Sequence, residues 1–183
     1  MKRTLPLKIK NHLGQELIFH RTEVDHGEEK LIVEVYIPSN TPAIQHTFFM
    51  QDEYLIVLHG KMAYQIENGA VKYAGIGETV FFRRGVPHKF WNPGSSELNC
   101  FGWIRPASDE IISYLESLYH SINESKTDRP DQFDSAYLLY HYGKEFDMPE
   151  IPKFVKSLVL PATYGIGKIT GKYKKFKAPA EAE

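Results

Sequence analysis

Between Leu31 and Ile104 the hydrophobic residues come in short runs, many at every second position, separated by Gly, Pro and Asn. Leu31 to Ile37 is apolar and rich in β-branched residues. Pro38-Ser39-Asn40-Thr41-Pro42 ends that run, because proline cannot feed a hydrogen-bond ladder from both sides. Residues 53–58 form the next run and turn at His59-Gly60 into residues 61–67. Asn68-Gly69 is a two-residue hairpin signal, with residues 71–73 pairing back. Runs over 79–82, 88–91 and 98–104 follow, with Arg84-Gly85-Val86-Pro87 and Pro93-Gly94 turning between them. Upstream, Asn11 to Gly14 is a turn, Glu16 to Arg21 a short strand and Asp25 to Glu28 a second turn. Many short strands with no helix between them predict a sandwich or barrel.

At Pro106 the period changes. Ser108 can cap a helix whose first turn holds Asp109 and Glu110, where the helix dipole favours carboxylates. Ile111, Leu115, Leu118 and Ile122 then form one stripe at helical spacing. A second helix is expected from Asp131 to about Glu145, with Phe133, Tyr137 and Tyr140 on one face. A third, from Lys153 to about Ile169, contains Pro161, which should kink or interrupt it. The expected organisation is a β-barrel domain over residues 1–106 and a helical extension over 107–183. The extension should pack on the barrel or on a partner, and its end, from Pro179, should be disordered.

The chain has 183 residues, enough to bury one core. Its net charge of -1 supplies no global field for nucleic acid, and no nucleic-acid partner is expected. Cys100 is the only cysteine, which precludes an intrachain disulfide and points to a cytoplasmic setting. The basic start has no apolar core of a signal peptide behind it. One local imbalance stands out: residues 153–177 hold seven lysines and no carboxylate, and residues 157–167 are uncharged. Packing on the barrel or on a second subunit is the expected role of this segment; an interfacial membrane role is the alternative.

Two spaced patterns carry the candidate chemistry. Gly77, Gly85, His88 and Asn92 match G-x5-P-x-G-x2-H-x3-N, with Arg83 in place of the proline. His46, Glu53 and Gly60 match G-x5-H-x-H-x(3,4)-E-x6-G, with Asn40 for the opening glycine and Phe48 for the second histidine. Asparagine suits a glycine position because it tolerates left-handed backbone. The chain resembles the cupin superfamily on these residues. The resemblance implies a mainly β fold, a cupin (jelly-roll) β-barrel, here with a C-terminal α-helical extension. It also implies that His46, Glu53 and His88 converge inside the barrel.

Two imidazoles and one carboxylate are a donor set for a divalent metal ion: iron, manganese, nickel or zinc. Each ring's other nitrogen should meet an acceptor that orients it. Phe48, Met62, Tyr64 and Phe90 are the candidate lining of an apolar pocket for a small-molecule ligand. The expected function is a small-molecule-binding cupin with a three-ligand metal site, an oxygenase or isomerase. The alternative is a metal-free ligand-binding or sensing barrel, in which the three polar side chains satisfy one another. A homodimer is expected. Gly165-Ile166-Gly167 has no βαβ unit around it and is not read as a nucleotide site.

Overall fold

The computed structural model describes residues 3–177. Eleven strands and three α-helices form among them. The strands are β1 (Leu7–Lys10), β2 (Glu16–Asp25), β3 (Glu28–Ile37), β4 (Thr47–Phe48), β5 (Asp52–His59), β6 (Met62–Ile66), β7 (Lys72–Ala74), β8 (Thr79–Phe82), β9 (His88–Trp91), β10 (Leu98–Arg105) and β11 (Phe146–Asp147). The helices are α1 (Asp109–Ser125), α2 (Gln132–His141) and α3 (Leu160–Ile169). A six-stranded antiparallel sheet runs β1-β2-β3-β10-β5-β8. A three-stranded sheet, β7-β6-β9, faces it, and β4 pairs with β11. Alternation sorts the side chains: Glu53, Leu55 and Val57 of β5 and Val80 and Phe82 of β8 are buried, while the residues between them are not. The fold is the mainly β jelly-roll barrel with C-terminal helices that the strand pattern and the family resemblance led us to expect.

The turns explain two motif positions. Asn40 has φ +61°, so asparagine does adopt the left-handed backbone of the glycine it replaces. Gly60 has φ +79°, and a Cβ there would lie 2.6 Å from the Glu97 carbonyl oxygen, so both backbone and space demand glycine. Asn92 is buried and braces the barrel end: its Nδ2 donates to the Ile37 and Ser96 carbonyls, and its Oδ1 accepts from the Gly94 N–H.

Two local expectations need correction. The Asn68-Gly69 hairpin is a wider loop: β6 ends at Ile66, β7 starts at Lys72, and Glu67, not the Asn-Gly pair, takes positive φ. Its backbone is held from outside, since the Glu67 N–H donates to the Pro87 carbonyl. α2 is shorter than expected and stops at His141, because the chain then turns to lay β11 against β4. Tyr137 and Tyr140 share a face, both stacking on Tyr164, with Tyr137 buried and Tyr140 exposed. As expected, the third helix is interrupted at Pro161: a π-helical turn over Val155–Val159 precedes it, and Pro161 falls in the first turn of α3, where its missing N–H is harmless. The expected disordered end, from Pro179, lies outside the described residues.

The extension is stitched onto the barrel. Ser108 caps α1 by accepting from the Ile111 N–H, and Ile111, Tyr114, Leu115 and Ile122 are buried in or beside the core. Asn123 of α1 donates to the Lys10 carbonyl and accepts from the His12 N–H, tying the helix to β1.

Candidate metal centre

The backbone brings the two histidines together. His46, just before β4, and His88, at the start of β9, exchange both N–H···O bonds at 2.9 Å. Directly paired residues project their side chains to the same side. The rings therefore lie edge to face, 4.4 Å apart. Glu53 comes from β5 in the other sheet, so the cluster bridges the two walls of the barrel. Glu53 Oε2 lies 3.2 Å from His88 Nε2 and 4.0 Å from His46 Nε2. One donor atom from each of the three can be chosen so that all lie within 4.8 Å of one another.

The outer nitrogens settle which hydrogens are where. His46 Nδ1 lies 3.2 Å from the Ile44 carbonyl oxygen, and His88 Nδ1 lies 2.9 Å from that of Val86. A carbonyl only accepts, so each Nδ1 carries the hydrogen. Burial, then the neighbouring His88, push the His46 imidazole down to about 3, so it is neutral at physiological pH. Its Nε2 then offers a bare lone pair toward the Glu53 carboxylate.

Three donors bound at about 2.1 Å to one ion stand about 3 to 3.5 Å apart. The His88–Glu53 spacing is already there, and His46 must close by roughly 1 Å. The donor set, the tautomers and the spacing together fit a divalent ion, and His46, Glu53 and His88 can hold one.

Aromatic rings enclose the cluster. Phe48 sits 4.9 Å from the His46 ring, at the position of the missing histidine. Phe90 is 6.5 Å from His46, and Tyr64 is 6.0 Å from Phe82. Met62 is fully buried in the core, on the same face of β6 as Tyr64. Two rings were missed in the sequence. Phe82 stacks on His88 at 4.1 Å and 7°, and alternation with Val80 in β8 would have placed it inward. Phe146 stacks on His46 at 6.1 Å and 17° and is held from behind by Tyr114, 4.0 Å away. No local signal marks Phe146, because it arrives through the β4–β11 pairing of distant segments.

Solvent reaches the cluster by one side. His46 is 16% exposed, against 6% for Glu53 and 2% for His88. The open depression of about 640 Å³ beside Gln45, Glu67, Pro87 and Glu150 is not the same space. Gln45 and Pro87 neighbour the two histidines in the chain and therefore face the other way.

The family model for the cupin domain matches residues 34–103, which hold both motifs and all three converging side chains. The barrel of this chain is a cupin. Comparison with solved structures gives partial matches at low identity. KdgF from Halomonas sp. is 13% identical with a TM-score of 0.47, over 57% of this chain and 91% of that one. AerE from Microcystis aeruginosa is 19% identical with a TM-score of 0.47, over 56% of this chain and 46% of that one. A Klebsiella pneumoniae protein with a double-stranded β-helix domain is 15% identical with a TM-score of 0.40, over 58% and 83%. No curated protein sequence matches this cupin. Among its described residues no helix is long and apolar enough to cross a membrane.

Proposed function

We propose that this cupin binds a divalent metal ion through His46 Nε2, Glu53 and His88 Nε2 and seats a small organic ligand there by a chelating polar end. The observation that carries this reading is the pair of Nδ1 contacts. With both Nδ1 hydrogens committed to carbonyls, both Nε2 lone pairs face a carboxylate, and that arrangement calls for a cation between them. Iron, manganese, nickel and zinc all accept these donors. When bound, the ion would supply Lewis-acid polarisation of the ligand's polar end or, if it is iron, oxygen activation, which makes an oxygenase or isomerase the enzymatic reading. The chain's own part is orientation and exclusion. The backbone carbonyls of Ile44 and Val86 fix the two imidazoles, and Phe48, Phe82, Phe90 and Phe146 keep water from the far sides of the rings. A ligand reaches the cluster on the His46 side, past Phe48. Met62 and Tyr64 complete the apolar lining on this reading. Metal analysis of protein purified without chelator tests it, with Glu53→Gln as the control. A stoichiometric ion lost in the variant is expected; a metal-free wild type that also ignores added iron, manganese, nickel and zinc overturns it.

A second reading has its own support. The 3.2 Å between His88 Nε2 and Glu53 Oε2 is also a hydrogen-bond distance, so a proton can take the cation's place. The barrel would then be a metal-free binding or sensing module, and the same titration separates the two.

We also propose that the cupin is a cytoplasmic homodimer. The outward face of the six-stranded sheet presents Tyr54 stacked on Trp103 at 5.5 Å, with Phe81 6.2 Å from Trp103 and 47% exposed. A sheet face this aromatic suits burial against a copy of itself. The lone Cys100 is buried, with its thiol pushed up to about 12, which fits a reducing compartment where thiols serve no disulfide.

A further inference from the structure

We propose that the outer face of α3 docks on an anionic membrane surface. The inner face of this helix is fully used. Leu160 and Gly167 are buried, Tyr164 stacks on Tyr140 at 4.1 Å, and a Cβ on Gly167 would meet Tyr173 at 2.3 Å. The opposite face is apolar and bare. Leu158, Ala162, Ile166 and Ile169 follow one another at helical spacing, and Leu158 is 71%, Ile166 54% and Ile169 88% exposed. Phe154, 64% exposed, extends the stripe before the π-helical turn. From Val155 to Ile169 the helical segment is roughly 22 Å long at the usual rise, enough to lie along a surface.

Charge chooses the occupant. Seven lysines and no carboxylate lie between Lys153 and Lys177, in a chain whose net charge is -1. Lys156 is neutralised by Asp147, and Lys175 by Glu124 and Asp134. Lys153, Lys168, Lys172 and Lys174 make no ion pair with a described residue. A symmetric contact with a second copy through this face would set lysines against lysines, with no carboxylate in the segment to offset them. An anionic lipid layer accepts the apolar stripe below its headgroups and pairs the lysines at them, each lysine contributing about fivefold in affinity.

The test is flotation of the full chain with vesicles of phosphatidylcholine alone or with three-tenths phosphatidylglycerol, at low and high salt. Two doubly substituted proteins are compared: Leu158→Asp with Ile169→Asp, and Lys168→Glu with Lys172→Glu. All four side chains are exposed and none belongs to the metal centre, so circular dichroism and metal content should match wild type. Binding to the anionic vesicles, weakened by salt, is expected. The apolar double variant should lose at least about a hundredfold, and the lysine double variant about twenty-five-fold or more. Failure of the wild type to float, or flotation undiminished in either variant, overturns the proposal. So does a wild-type dimer that the Asp variant turns into a monomer by light scattering without lipid binding, since the face would then be a protein contact.

Discussion

Phe146→Ala asks whether the extension builds the metal centre or merely covers it. Phe146 is 3% exposed, with Tyr114 at 4.0 Å, Phe48 at 6.0 Å and His46 at 6.1 Å. Truncating a buried phenylalanine costs about 3–5 kcal/mol. For a chain of this size each kcal/mol moves the melting temperature by about 2–4 °C, so a fall of roughly 6–20 °C is expected. The second readout is His46. Its imidazole is pushed from 6.5 to about 3 by burial and by His88. A group depressed in the fold adds stability that is complete above pH 6.5 and is lost as pH falls toward 3. The size of that term is about 5 kcal/mol. Removing Phe146 lets water reach the ring, so its value rises toward 6.5 and the term shrinks. In chelator-treated protein the His46 Cε1 proton should therefore be silent between pH 5 and 7 in wild type and titrate in the variant. The stability gap between the two proteins should narrow as pH falls. An unchanged His46 titration with a gap constant in pH would refute the idea that Phe146 walls the site.

Phe48→His places a fourth donor beside His46 and should tighten zinc or manganese binding by at least about tenfold in calorimetric titration. If neither form binds any ion, the three side chains are a structural polar cluster. Gly60→Ala should cost about 2–3 kcal/mol by denaturant unfolding, from its positive φ and the clash with the Glu97 carbonyl. A loss under about 0.5 kcal/mol would mean the turn relaxes freely. Phe81→Lys should convert the dimer to a monomer by light scattering, and a wild type already monomeric at micromolar concentration defeats the sheet-face interface. Ser108→Ala removes the α1 cap and should lower the melting temperature by about 2–4 °C, with metal content unchanged.

The convergence of His46, Glu53 and His88 was legible because their spacing is rigid. A motif that fixes Glu53 seven positions before Gly60, and His88 three after Gly85, also fixes which strand and which face each occupies. Asn40 was legible for a backbone reason, and its positive φ bears that out. Phe82 could have been read from the same alternation that placed Glu53. Phe146 could not: it follows a helix, stands in a two-residue strand, and gains its meaning only from pairing with Phe48 across nearly a hundred residues. The lysine run was equally plain, but composition does not say which side of a helix faces out. Tyr173 folding onto Gly167 decides that, and it is a tertiary event.

The β4–β11 pairing has a consequence in time. His46, Glu53 and His88 leave the ribosome well before Phe146, separated from it by about sixty residues. At roughly 5–20 residues per second that is about 3–12 s. If the barrel folds during synthesis, the cluster is assembled before its last wall is made. On the metal-bound reading, an ion can enter the nascent barrel from the side that β11 later seals. Once the wall is in place, exchange must wait for local opening of a two-residue strand. Uptake by the folded, chelator-stripped protein should then be far slower than diffusion, and Phe146→Ala should speed it.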